Sequence, residues 1–316
     1  MAFTNRMFRS RSKARQPNLP TQQGAGRPRA VNRHLLRRQI RDGLFYGLFF
    51  GSIVMGIGAL AVLLIDILSD GLPWLTFDFI TTYPSRHAGE SGIKAALYGS
   101  LWVVGLTGII SVPLGVATAI YLEEFAAKNW RTTVIQVNIA NLAGVPSIIY
   151  GILGLAVFVQ LLGLGRIVIA GALTMTLLVL PIVIVATQEA IKAVPDSYRN
   201  AGFAIGATRW QVVKTIVLPL AIPGIMSGLI LALSRAIGES APMIMISALV
   251  FLTFIPKTPG DRFTVMPIQI FNWVAQPQED FRGIAAAGII VLLVMLLTMN
   301  AGAIYIRNKY QRRRGE

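Results

Sequence analysis

The sequence contains no cysteine and only two histidines. The absence of cysteine excludes disulfides and thiolate metal sites. His34 and His87 lie far apart in polar segments, so no ligand cluster, metal or cofactor is predicted. Charged residues make up only 14% of the 316 positions, against about 25% in an average soluble domain. With 54% hydrophobic residues, this deficit indicates a chain that meets lipid and excludes a soluble globular protein.

Motifs for nucleotide hydrolysis and common enzymatic chemistry are also missing. The chain has no P-loop Gly-x-x-x-x-Gly-Lys-Ser/Thr, no His-Glu-x-x-His and no Gly-x-Ser-x-Gly. We therefore predict that the protein is not an enzyme and hydrolyses no nucleotide by itself.

The positive charge of the chain is concentrated at its two ends. The net charge is +15, and of 29 Lys and Arg residues 11 fall in residues 1–43 and five in residues 307–316. Residues 1–43 lack the order of segments of a signal peptide and predict a disordered basic tail. Such a tail favours a cytoplasmic end that touches anionic membrane lipid. Nucleic-acid binding is the weaker alternative, because no aromatic or motif pattern accompanies the charge.

Long apolar runs with few charges predict about six transmembrane helices and an all-α integral membrane protein. Their approximate bounds are Leu44–Leu68, Ala95–Leu122, Val134–Leu162, Ile167–Thr187, Leu220–Ser240 with a further apolar stretch to Ile255, and Gly283–Ile306. Residues 44–306 thus form the predicted membrane domain between the two basic tails.

The basic residues of the connecting segments predict the orientation. If the N-terminus is inside, the inner segments 1–43, 123–133, 188–219 and 307–316 carry 22 Lys and Arg residues, and the outer segments carry six. Both termini are therefore predicted in the cytoplasm, which requires an even number of spans. The segments Gly71–Ile93 and Pro256–Phe281 become outer loops.

The fifth span is unusual because Gly238 and Pro242 interrupt it and Arg235 and Glu239 lie inside it. A broken helix inside a membrane is tolerated only where protein or a water-filled cavity satisfies its backbone groups. We therefore expect this segment to face the protein interior.

The inner segment 188–219 carries the most informative pattern. It reads Asn200-Ala201-Gly202, three residues, Gly206, nine residues, then Ile216-Val217-Leu218-Pro219. Residues Phe203–Thr215 can form a short amphipathic helix, and Gly206 permits a close approach or a turn between two short helices. Such a helix could bind a groove on a partner protein or lie on the lipid surface.

This spacing resembles the signature loop of ABC importer permeases, in which Glu-Ala-Ala, three residues and Gly precede nine residues and Ile-x-Leu-Pro. Ala201, Gly206, Ile216, Leu218 and Pro219 match by identity, whereas Asn200 and Gly202 replace the family's Glu and Ala. The resemblance implies a type I, MetI-like permease fold in which these seven positions couple the membrane helices to a cytoplasmic ATPase.

A second stretch is similar to phosphate importer permeases. The run Ser234-Arg235-Ala236-Ile237-Gly238-Glu239-Ser240-Ala241-Pro242 resembles their Arg-Ala-x-Gly-Glu-(Ser/Thr)-Ala-Pro segment, and Met266–Trp273 and Pro277–Ala287 resemble the PstA-type subunit. The resemblance covers about residues 44–310. It implies a cytoplasmic-membrane permease that pairs with a PstC-type permease, a homodimeric PstB-type ATPase and an external PstS-type phosphate-binding protein.

The chemistry of Arg235 is compatible with phosphate as the substrate. About fifteen residues of helix at ~1.5 Å each place it roughly 22 Å from the cytoplasmic side of a ~30 Å core. A charge at that depth is a candidate for function, and a guanidinium can hold two phosphate oxygens at once. Arg235 and Glu239 are thus predicted on the translocation path. A purely structural ion pair that stabilises the broken helix is the alternative.

Two other functions remain open from the residues alone. The same machinery could import another oxyanion, such as molybdate or phosphonate. A carrier driven by an ion gradient would also have broken helices and charges at the midplane, but it would not need the loop Asn200–Pro219. A membrane enzyme or scaffold is disfavoured by the missing catalytic motifs.

Reporter fusions test the predicted topology. A reporter that is active only outside the cytoplasm should give signal when fused after Ser85 or Pro259, because both follow an odd number of spans. Fusions after Lys128, Ala207 or Arg312 should give none. Signal from the Ala207 fusion would overturn both the topology and the coupling assignment.

Overall fold

The computed structural model describes residues 33–247 and 251–312, and the chain divides into two units, residues 1–59 and residues 60–316. Over the described residues the chain is helical, and its β-structure is limited to an isolated bridge between Ile167 and Arg262. The α-helices are α1 Arg33–Gly71, α2 Phe77–Thr81, α3 Lys94–Ile120, α4 Trp130–Ala143, α5 Ser147–Gly154, α6 Val168–Lys192, α7 Asp196–Ala204, α8 Arg209–Val212, α9 Leu218–Gly238, α10 Ala241–Ser247, α11 Met266–Val274 and α12 Asp280–Arg312.

Three π-helical segments join or extend these helices. They are Tyr121–Phe125 after α3, Leu155–Leu161 after α5 and Val213–Val217 before α9. Because the backbone stays helical through them, α3 continues to Phe125, and a single helical stretch runs from Arg209 to Gly238.

The number of membrane-spanning helices agrees with the prediction. Among the described residues, five helices are long and apolar enough to cross a membrane, and the number is six if a bent pair is counted as one span. The predicted first, second, fourth and sixth spans coincide with α1, α3 with its π segment, α6 and α12.

The predicted third span, Val134–Leu162, corresponds to a bent pair of helices and not to one straight helix. The chain is helical in Trp130–Ala143 and again in Ser147–Leu161, and the two parts are bent by 101°. Pro146 causes the break, because it has no N–H to donate and disfavours helical backbone at Val145. Gly144 precedes it as the C-cap of α4.

The first helix begins earlier than predicted and exposes its apolar side chains. It starts at Arg33, inside the predicted tail 1–43, of which residues 1–32 lie outside the described residues. Every side chain from Arg41 to Asp66 is exposed. Apolar surface of this extent needs lipid or another protein subunit to cover it.

The predicted outer loops also contain short helices. The segment Gly71–Ile93 includes α2, and the segment Pro256–Phe281 includes α11. In the second of these, the Asp261 carboxylate accepts hydrogen bonds from the backbone N–H groups of Lys257 at 2.7 Å and Thr258 at 2.8 Å. These bonds, that of Thr258 first, hold the pKa of Asp261 below its usual value.

Helix α6 forms the centre of the second unit, and α3 and α9 pack against it. Buried side chains of α6, among them Met175, Val179 and Val183, join one core cluster with Ile225 and Leu229 of α9. The two helices approach closely because small residues face each other. A Cβ on Gly224 would lie 2.8 Å from the Cβ of Ala190, and one on Gly228 would collide with that of Ala186.

This four-residue spacing of small residues on both helices is a recurrent way of packing membrane helices. Lipid gives no hydrophobic drive for association, so the contact depends on van der Waals packing and on close approach of the backbones. The pair Gly224 and Gly228 is not among the sequence predictions, although the four-residue spacing is visible in the sequence.

Adding a methyl group at this contact should destabilise the fold. We expect Gly228→Ala to lower the stability of the purified permease by about 1–3 kcal/mol, because the extra methyl overpacks a tight interface. The thermal unfolding midpoint in detergent measures the effect. Gly105→Ala on α3 is the matched control, since nothing lies within 4 Å of its Cβ position.

A double variant adds Ala186→Gly to Gly228→Ala and so removes the opposing methyl group. It should recover most of the stability lost in Gly228→Ala. An unchanged midpoint for Gly228→Ala, or no recovery in the double variant, would contradict this packing account.

Candidate functional site

The predicted break in the fifth span lies at the end of α9. The helix stops at Gly238, and Glu239 has extended backbone angles, φ −75° and ψ 112°. The chain becomes helical again at Ala241 in α10. Of the further apolar stretch to Ile255, residues 248–250 lie outside the described residues and residues 251–255 are not helical.

Arg235 and Glu239 form an ion pair across this break. The Arg235 Nε donates to the Glu239 Oε1 at 3.0 Å. The Glu239 side chain is 17% exposed, whereas that of Arg235 is 49% exposed. The pair predicted from the i,i+4 spacing is therefore present, with its cation on the open side.

The guanidinium of Arg235 retains unused hydrogen-bond donors. Only its Nε has an acceptor within the described part of the chain, so both Nη groups are free there. A guanidinium has five N–H donors in a rigid planar fork that matches an oxyanion. Because a charged group within a membrane is unfavourable unless it is paired or wet, the exposed side of Arg235 requires water, a ligand or another subunit.

Side chains next to Arg235 and Glu239 connect this end of α9 to neighbouring helices. The adjacent Ser234 hydroxyl oxygen lies within hydrogen-bond distance of the Ile230 carbonyl and of the side-chain oxygen of Asn300 on α12, and its single proton is donated to one of these acceptors at a time. On the buried side of Glu239, a cavity of only about 10 Å³ lies among Met175, Ile237 and Met243. That space holds at most one water molecule, so this cavity beside Glu239 is too small for a phosphate ion.

The predicted coupling loop has two short helices and not one. Of the two arrangements that the sequence allowed, a short helix over Phe203–Thr215 is not formed, because α7 ends at Ala204 and α8 begins at Arg209. Gly206 lies between them with φ +83°, a backbone conformation that is accessible to glycine at little cost. The alternative reading, a turn between two short helices at Gly206, is confirmed.

The start of α8 is fixed by a capping box. The Thr208 side chain accepts from the Gln211 N–H at 3.4 Å, and the Gln211 side chain accepts from the Thr208 N–H at 2.8 Å. These reciprocal bonds satisfy backbone donors at the helix start and hold α8 against the turn.

The seven predicted coupling positions fall into two groups. Asn200, Ala201 and Gly206 are exposed, whereas Gly202 is buried and Ile216, Leu218 and Pro219 are partly buried. The close approach predicted at Gly206 occurs at Gly202, where a Cβ would lie 2.9 Å from Ile216 and from Val212. At Gly206 nothing lies within 4 Å of the Cβ position.

The exposed side of the loop carries large apolar side chains. They are Tyr198, Phe203, Ile205 and Trp210, of which Ile205 is 85% exposed. We call these four residues the apolar loop face. Phe203, Ile205 and Trp210 lie in the segment Phe203–Thr215, which the sequence indicated as amphipathic, whereas Tyr198 lies before it and was missed. The signal for Tyr198 was a large apolar residue in an otherwise polar segment.

No group of three or more His, Asp or Glu side chains in the described part of the chain is arranged to hold a metal ion. The chain combines a guanidinium that can donate to an oxyanion, at the end of α9, with an apolar loop face around the start of the same helical stretch.

The chain is similar to known membrane transport proteins. Residues 111–311 match the family model described as binding-protein-dependent transport system inner membrane component. The "Probable ABC transporter permease protein YqgI" of Bacillus subtilis is 35% identical, over 85% of this chain and 95% of its own length. The phosphate transport system permease protein PstA 1 of Mycobacterium tuberculosis H37Rv is 32% identical, over 88% of this chain and 91% of its own length.

Solved structures agree on the fold. A bacterial ABC transporter for import of the polysaccharide alginate has a chain that matches with a TM-score of 0.62 at 20% identity, covering 87% of this chain and 99% of that one. A chain of the MetNI methionine ABC transporter matches with a TM-score of 0.56 at 15% identity, covering 68% and 96%. At these identities the likeness concerns the fold alone.

Proposed function

Since the chain belongs to the family of binding-protein-dependent transport system inner membrane components, and is thus a multi-pass permease subunit of an ABC importer, we propose that it is the PstA-type subunit of a phosphate importer. The observation that carries the substrate proposal is the half-exposed Arg235 guanidinium, with both Nη groups free of acceptors among the described residues. Relatives named as phosphate permeases support it.

Arg235 binds the phosphate ion during its passage in this proposal. Glu239 holds the Nε side of the guanidinium at 3.0 Å and so orients the two Nη groups. A planar fork with two parallel N–H donors fits two phosphate oxygens. The Glu239 carboxylate also prevents phosphate from binding too tightly, because its negative charge weakens the attraction between Arg235 and the anion.

We propose partners for two exposed regions, the apolar loop face and the remaining exposed apolar surface. The apolar loop face contacts a homodimeric PstB-type ATPase in the cytoplasm, and Asn200, Ala201 and Gly206 lie in the same exposed loop. A PstC-type permease forms a heterodimer with this chain and covers exposed apolar surface that lipid does not. A PstS-type binding protein delivers phosphate from outside, and both termini lie in the cytoplasm.

Phosphate uptake tests the proposal as a whole. Cells that express the four subunits should accumulate radiolabelled phosphate only when this chain is present. Competition with unlabelled molybdate or phosphonate separates the proposed substrate from other oxyanions. Efficient competition by one of these, with poor competition by unlabelled phosphate, would overturn the substrate proposal.

Substitutions at the ion pair test the role of Arg235. We expect Arg235→Gln to reduce phosphate uptake per assembled complex by about tenfold or more, as expected for loss of charged hydrogen bonds. Arg235→Lys should also be impaired, because an ammonium keeps the charge but loses the planar fork. Arg282→Gln is the control, since it removes an exposed guanidinium at the start of α12 and should not alter uptake.

The double variant Arg235→Gln with Glu239→Gln distinguishes transport from structure. It leaves no unpaired charge, so it should assemble normally yet remain inactive if Arg235 binds the substrate. Recovery of uptake in the double variant would make the pair structural only.

Substitutions at Gly206 test the proposed coupling loop. The positive φ of +83° is strained for a β-branched residue but accessible to Asn. We expect Gly206→Val to lose most ATPase co-purification and phosphate uptake, and Gly206→Asn to retain much of both. Equal behaviour of the two variants would show that the turn conformation is not required for docking.

A further inference from the structure

A buried cluster of charged residues joins the coupling loop to the ends of two membrane helices. Its centre is Arg199 of α7. The guanidinium donates from Nε and Nη2 to the Glu124 Oε1, at 3.1 and 3.0 Å. It also donates to the Ile191 carbonyl at 2.9 Å, the Val194 carbonyl at 2.5 Å and the Asp196 carboxylate at 3.1 Å. One side chain therefore connects α7 with the last turn of α6 and with the π segment after α3.

The burial of this cluster distinguishes it from surface ion pairs. The side chains of Arg199 and Glu124 are only 15% and 11% exposed, whereas Asp196 is 88% exposed. A buried charge is tolerated when its donors are satisfied, and each nitrogen of this guanidinium has an acceptor. Removing Arg199 would take the ion-pair partner from the buried Glu124, whereas removing Glu124 would leave Arg199 paired only with the exposed Asp196.

A second contact ties the same π segment to the other loop helix. The Phe125 ring lies 6.3 Å from the Trp210 ring of α8, and the Arg209 guanidinium lies 6.0 Å from the centre of the Phe125 ring. Adjacent to Glu124, Glu123 accepts a hydrogen bond from Gln188 of α6 at 3.0 Å. The segment Tyr121–Phe125 thus contacts α6, α7 and α8.

This segment is continuous with α3. The backbone passes from α3 into the π segment with helical angles, φ −59° and ψ −48° at Tyr121. Helix α3 is also tightly packed on α6, since a Cβ on Gly115 would lie 2.5 Å from Val183. A displacement of the loop that is carried through Glu124 and Phe125 would therefore move α3 together with α6.

We propose that Arg199 and Glu124 are positioning residues for transport: their buried ion pair transmits movement of the coupling loop to α3 and α6. The role rests on the proposed coupling of this loop to an ATPase. The exposed apolar loop face receives the force, and the buried pair passes it to the membrane helices. π-Helical segments are frequent at functional sites, and this one lies at the junction.

The test uses the complete four-subunit complex in liposomes with an external phosphate-binding protein and inorganic phosphate. Three quantities are measured: the amount of ATPase that co-purifies, the rate of ATP hydrolysis, and the phosphate transported per ATP hydrolysed. Arg199→Gln and Glu124→Gln should keep ATPase binding and hydrolysis but reduce phosphate transported per ATP about fivefold or more, as expected when two sites lose their coupling.

Asp196→Asn is the matched control. It removes the exposed partner of Arg199 and should leave transport per ATP unchanged, because the buried bonds to Glu124, Ile191 and Val194 remain. A loss in this variant equal to that of Glu124→Gln would overturn the proposal, since it would show that burial of the pair does not matter.

A double variant keeps the test decisive if the single variants misfold. Arg199→Met with Glu124→Leu replaces the pair by apolar side chains and leaves no unpaired buried charge. We expect this variant to assemble, bind the ATPase and hydrolyse ATP, yet transport little phosphate per ATP. Normal transport per ATP in the double variant, or failure of every variant to bind the ATPase, would overturn transmission and assign the pair to folding or docking.

The wild-type complex separates the two hypotheses. If it transports no phosphate or binds no ATPase, the proposed function fails before any variant is compared. If it does both and the variants behave as wild type, only the role of Arg199 and Glu124 fails.

Discussion

The close contact between α6 and α9 is the interaction on which the rest of the structure depends. Gly224 and Gly228 on α9 face Ala190 and Ala186 on α6, and this brings the two backbones together without large side chains between them. The helical stretch Arg209–Gly238 spans about 45 Å at 1.5 Å per residue. It connects the proposed coupling loop at one end with Arg235 near the other, so both regions are held by the same helix pair.

Two ion pairs of the same chemistry have opposite surroundings. Arg199 is buried and each of its nitrogens has an acceptor, whereas Arg235 is half exposed and donates only from Nε within the described residues. A guanidinium with every nitrogen satisfied holds segments of the protein together, and one with free donors can bind an ion. Burial and hydrogen bonding, and not residue type, therefore distinguish Arg199, which connects helices, from Arg235, the proposed phosphate contact.

Glycine has different roles at the two positions of the loop pattern. Gly206 has a positive φ and open space around its Cβ position, whereas Gly202 lies in close contact with Val212 and Ile216. The sequence indicated that Gly206 permits either a turn or a close approach, and the turn is correct. The close approach at Gly202 was missed because it depends on α7 packing against a segment ten or more residues further along the chain.

Local properties of the sequence determined the apolar spans, the helix break around Gly238 and the pairing of Arg235 with Glu239, because each depends on residues within a few positions of one another. Only the tertiary structure decided that Glu124 binds Arg199, 75 residues away, and that Ala186 and Ala190 face glycines of α9. Such contacts arise from the packing of separate helices, and neither hydropathy nor residue spacing within one segment specifies which side chains meet across them.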